Sequence, residues 1–150
     1  MPRKLPGAVQ EHVRHRANYL CEYCHTSEFW QAVRFTIDHM VPVTEGGEGT
    51  PANLALACFH CNRRKSNRQV AVDSETNQIV PLFNPRLHNW ADHFIWSTDG
   101  LRIVPRTAIG RVTASILQLN RGRILYIRAA DVNLDRHPPF DDPIQRSEEA

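Results

Sequence analysis

Two Cys-x-x-Cys pairs constrain this chain more than any other feature. Cys21-Glu22-Tyr23-Cys24 and Cys58-Phe59-His60-Cys61 are separated by 33 residues and hold its only four cysteines. Each pair presents two sulfurs on one tight turn, so the two together make a tetrahedral thiolate site of the kind that holds structural zinc. Two disulfides satisfy the same count. The opening MPRKLPGAVQEHVRH is basic but has no apolar run, so it does not read as a secretory leader. No stretch reaches the roughly 18–20 apolar residues of a membrane helix. The expectation is a cytoplasmic protein without a membrane partner, where a reducing environment favours zinc over disulfides. His25 and His60 adjoin the thiolates, and either is a possible substitute ligand. Four cysteines at this spacing leave no need for one.

Of 150 residues, 41% are hydrophobic and 23% charged, which suits a folded module with an extension rather than a disordered chain. The charge is uneven. Residues 1–70 hold nine Lys and Arg against six Asp and Glu, and residues 71–150 hold nine against ten. The positive excess thus lies with the cysteines, which suits a polyanionic partner, although a solvated basic face gives the same count.

Between the pairs, Val33, Phe35 and Ile37 alternate with Arg34 and Thr36, which predicts a strand with one buried face and Ile37 pointing inward. That strand ends at Asp38 and His39. Gly46, Gly47 and Gly49 mark a tight turn, and Leu54 and Leu56 lead into the second pair. Before the first pair, Val9, Val13 and Ala17 predict a helix over 7–19, with His12, Arg14, His15 and Arg16 mostly on its wet side. A short helix or turn is expected from Phe59 to Arg68. Beyond residue 70 the pattern gives a strand–turn–strand over 70–83 and a hairpin over 90–105 turning at Asp99-Gly100. A helix follows over 107–119, then a segment at 123–134 that reads as helix or strand. Trp90, Phe94 and Trp96 read as core, with a base-stacking platform as the alternative. His88 and His93 read as packed or capping residues.

Asp38 and Asn62 offer hard oxygen atoms of the kind that hold Mg²⁺ or Mn²⁺ beside a phosphate. His39 stands next to them and suits a general base near neutral pH. A carboxylate, an amide and an imidazole beside a zinc-stapled turn fit phosphodiester cleavage. Cys21, Cys24, Asp38-His39, Gly46-Gly47, Asn53-Leu54, Cys58, Cys61, Asn62 and Lys65 resemble, in that order, the HNH endonuclease family in its four-cysteine form. The resemblance implies an α+β fold: a ββα-metal module of the His-Me finger type, stapled by zinc, with a C-terminal α+β extension. It implies that Asp38 binds the catalytic metal, that His39 takes a proton from the attacking water, and that Asn53 braces the loop and orients His39. Asn62 stands where the family's name places its last histidine, and it is expected to ligate through its amide oxygen. Arg63, Arg64, Lys65 and Arg68 are expected to contact phosphates. The implied substrate is nucleic acid, double-stranded DNA first. The domain expectation is a nuclease module at 1–70, an extension at 71–136 packed on it, and a flexible tail at 137–150. The competing reading is a zinc-ribbon DNA- or RNA-binding module without catalysis.

Overall fold

The computed structural model describes residues 4–145. The chain divides into two units, residues 1–69 with 84–88 and residues 70–83 with 89–150.

The first unit opens with α1 (Gly7–Arg16). Its apolar stripe is narrow, with Val13 fully buried, but the helix also buries Arg14. Arg14 departs from the expected wet face because it has partners inside. Its Nε donates to Glu28 Oε2 at 3.2 Å and its Nη2 to the Phe35 carbonyl at 2.6 Å. Glu28 Oε2 also accepts from the Phe35 amide, so the buried charge is matched and hydrogen-bonded, the condition under which burial is tolerated. Arg16 donates to the carbonyls of Pro51 and Leu54. Both arginines therefore fasten α1 to the loops around the central hairpin.

That hairpin pairs β1 (Thr36–His39) with β2 (Leu54–Ala57) antiparallel, with Thr36 opposite Ala57 and His39 opposite Leu54. All four residues of β2 are buried, because α1 and α2 (Phe59–Lys65) both pack on it. Phe35, just before β1, is buried as expected, but the alternation fails on either side of it. Val33 is exposed and lies before the strand, Ile37 is half-buried, and Asp38 is the buried residue. The sequence pattern mistook the face because a carboxylate normally avoids the core; here it is paired inside. Gly47 closes the turn after β1. A Cβ there would lie 1.7 Å from the Val41 carbonyl oxygen, so no side chain fits.

The second unit begins with a hairpin of β3 (Val70–Val72) and β4 (Ile79–Pro81). Its turn is set by Asp73, whose Oδ2 accepts from the Thr76 amide and hydroxyl. The short α3 (Trp90–His93) runs into β5 (Phe94–Trp96), which pairs with β6 (Ile103–Pro105). Gly100 takes a positive φ of 75° in the connecting loop as the Asp-Gly signal implies, but the loop runs from Ser97 to Arg102 rather than over two residues. α4 (Ala108–Leu117) starts on the Thr107 cap, whose hydroxyl accepts from the Gly110 amide. Gly110 has no room for a side chain, since a Cβ would meet the His93 carbonyl at 2.3 Å. The segment that read as helix or strand is α5 (Gly122–Asn133).

Trp90, Phe94 and Trp96 are core, in ring contact at 5.2 Å and 5.9 Å. Arg128 is buried against Trp96, its guanidinium 5.0 Å from the ring centre. Of the stretch expected as a flexible tail, residues 137–145 run beside β5. Trp96 Nε1 donates to Asp142 at 2.9 Å, and the Gln145 amide donates to the Trp96 carbonyl at 2.6 Å. Residues 146–150 of that tail, and 1–3 of the first module, lie outside the described residues.

Candidate active site and metal centre

The two cysteine pairs converge. The sulfurs of Cys21, Cys24, Cys58 and Cys61 lie within 4.8 Å of one another, and all four residues are buried. Backbone folds each pair into a knuckle. The His25 amide donates to the Cys21 carbonyl at 2.8 Å, and the Cys61 amide donates to Cys58 Sγ at 3.4 Å as α2 begins. Burial pushes the Cys21 thiol up, while hydrogen bonding led by Cys21 pushes Cys61 up and pulls Cys24 down. Four thiols crowded away from water share protons, and only a cation lets all four be thiolate together. The cluster is thus positioned to hold a metal ion, and an all-sulfur set with no open position is consistent with structural zinc.

A second site is a cleft lined from β1, the loop after it and α2. Asp38, His39, Asn62 and Arg63 line one cleft of about 620 Å³, together with Ile37, Pro42, Val43, Thr44, Ser66 and Asn67. β1 delivers Asp38 and His39 to it, and α2 delivers Asn62 one position after the last cysteine. Asp38 is held from behind. Tyr23 Oη donates to its Oδ2 at 2.8 Å, and Lys65 Nζ lies 3.1 Å from the same oxygen. That Lys65 contact is an ion pair only, since Nζ makes no directed hydrogen bond. Oδ1 accepts no hydrogen bond among the described residues. Burial, then the Asp38 charge, pushes the Tyr23 phenol well above its ordinary value, so the hydroxyl keeps its proton and donates.

Asn53 does not line the cleft. It staples the loop that leaves His39: its Oδ1 accepts from the Val41 amide at 2.8 Å, and its Nδ2 donates to the carbonyls of Val41 and Glu48. Its carbonyl also accepts from the Met40 amide at 2.8 Å. The basic run divides. Arg63, Arg64 and Arg68 are exposed, and Arg63 reaches the cleft. Lys65 is 3% exposed and points at Asp38, so it is not available to a phosphate on the surface. The helical period explains this, because Cys61 and Lys65 are four apart and share the buried face. Tyr23 was not singled out by its sequence. Its signal was there: a large residue inside a buried knuckle must find a partner for its hydroxyl.

Residues 21–68 match the family model described as HNH endonuclease. This stretch is an HNH endonuclease domain. It contains both the cysteine cluster and the cleft, and it accords with a ββα-metal fold in β1, β2 and α2. HNH domains are generally nucleases. The chain is also similar to the Septu protein PtuA of Bacillus mycoides (strain KBAB4), at 26% identity over 146 residues. The match covers 81% of this chain and 20% of that relative, so the chain spans about a fifth of its length. No helix among the described residues is long and apolar enough to cross a membrane.

Proposed function

We propose that the chain is a metal-dependent endonuclease that hydrolyses phosphodiester bonds in double-stranded DNA. The observation that carries the reading is the meeting of Asp38, His39, Asn62 and Arg63 in one cleft. Asp38 and Asn62 would hold a Mg²⁺ or Mn²⁺ ion, since a carboxylate and an amide suit a hard cation that keeps several waters. When bound, that ion stabilises negative charge building on the scissile phosphate. His39 takes the proton of the attacking water, which is the role an imidazole fills near neutral pH. Asn53 fixes the loop that follows His39 and so orients the ring from behind. Arg63 meets a non-bridging oxygen or the neighbouring phosphate, and Arg64 and Arg68 extend the contact along the backbone. The cysteine cluster holds zinc and keeps the hairpin and α2 in register.

The test is nicking of supercoiled plasmid with Mg²⁺ or Mn²⁺, with and without EDTA. His39→Ala should lose about 10²–10⁴-fold in rate while keeping its zinc and its melting temperature. Cleavage at the wild-type rate by that variant would defeat the assignment. Tight DNA binding with no nicking by the wild type would favour a binding module instead.

A further inference from the structure

Asp38 is tied into the protein in an uneven way. One carboxylate oxygen has two partners, Tyr23 Oη at 2.8 Å and Lys65 Nζ at 3.1 Å, and the other has no hydrogen bond among the described residues. The residue is buried yet lines the cleft. Tyr23 is fully buried, so no water can replace its donor bond. It also sits between Cys21 and Cys24, the first two members of the metal cluster. Its ring is therefore carried on the first of the two knuckles that form the cluster. Lys65 comes from α2, four residues after Cys61. Each partner of Asp38 is thus anchored by a different knuckle.

The two partners do different things. The ammonium compensates the buried charge, but without a directed hydrogen bond it does not fix the plane of the carboxylate. The phenol hydroxyl supplies that direction. We infer that Tyr23 is a positioning residue for the catalytic metal, holding Asp38 Oδ2 so that Oδ1 alone faces the cleft as a single-oxygen ligand. The cysteine cluster then shapes the catalytic metal site through one hydrogen bond, and not only by holding the fold. This rests on the reading of Asp38 as a metal ligand. Partners that orient a ligating carboxylate typically matter by about 10–100-fold in metal affinity.

The test is a Mn²⁺ titration followed by electron paramagnetic resonance, on the full chain with a short DNA duplex. His39→Ala serves as the background so that the duplex stays intact. Adding Tyr23→Phe should weaken Mn²⁺ binding about 10–100-fold, with zinc content and melting temperature unchanged. With His39 intact, Tyr23→Phe should nick slowly at low Mn²⁺ and recover as Mn²⁺ is raised, which a merely structural defect would not do. Unchanged Mn²⁺ affinity in Tyr23→Phe, beside a clear loss in Asp38→Asn, overturns the role of Tyr23 and leaves the metal reading standing. No loss in Asp38→Asn overturns the metal reading, and the inference with it. A Tyr23→Phe protein that loses zinc or melts early makes Tyr23 a fold residue and also overturns the inference.

Discussion

Lys65 shows how a residue's chemistry depends on where its helix turns it. As the last of three consecutive cations it looks like a phosphate contact, yet it lies inside against Asp38. Removing one partner of a buried ion pair leaves the other uncompensated and costs about 3–5 kcal/mol. Lys65→Ala should therefore lower stability by about that amount in urea unfolding, and it should leave the salt dependence of DNA binding unchanged. Arg63 is exposed at the cleft and predicts the reverse. Arg63→Ala should leave stability nearly unchanged and reduce the slope of log binding constant against log salt by about one. A salt slope that falls for Lys65→Ala would contradict the buried placement. Asp38 itself was legible as chemistry but not as a buried group, because its burial depends on Tyr23 and Lys65, 15 residues before it and 27 after it.

At the scale of elements, the knuckles and the Asp73 turn each join pieces distant in sequence. Cys58 caps α2 and belongs to the cluster, so Cys58→Ser removes a ligand and a helix start at once. That variant should fail to retain zinc and lose the helical signal of the first unit, as read by metal analysis and circular dichroism. In the second unit, Arg111 of α4 grips Asp73 with two bonds of 2.9 Å. The Arg111 guanidinium, then Thr76, holds the Asp73 carboxyl well below the usual carboxylate range. A carboxyl depressed in the folded state stabilises it above the unfolded value of about 3.9. That contribution is lost as pH falls below it towards the folded value. Thermal melts should therefore fall in the wild type below about pH 4, and Asp73→Asn should be less stable at neutral pH with a shallower acid fall. Parallel acid dependence in the two proteins would refute the link. Helix existence was readable from spacing in α1 and α4, and the hairpins from their turn residues. The parity of β1 was not, since four residues give alternation too little length to decide which face is buried.

For the whole molecule, the first unit is built around the four-cysteine cluster and the second around an aromatic core of Phe83, Trp90, Phe94 and Trp96. The first unit takes residues 1–69 and also residues 84–88. There Arg86 pairs with Glu22 of the first knuckle, and Glu22 Oε2 accepts from the Leu56 amide. No local pattern marks that pairing, because a single Arg in a loop has no periodicity to betray its partner 64 residues away.

The sequence by itself determined the chemical types on offer: carboxylate, amide and imidazole groups of the kind that hold a metal or move a proton, and two cysteine pairs at a spacing that suits one shared site. Ligand type and spacing are local properties, and a buried cluster of thiols permits few arrangements. Only the tertiary structure decided which charged groups face solvent. It turned Arg14 and Lys65 inward, left Arg63 at the cleft, and set Tyr23 behind Asp38. Those outcomes depend on partners distant in the chain, and burial of a charge is decided by its partner rather than by its neighbours in sequence.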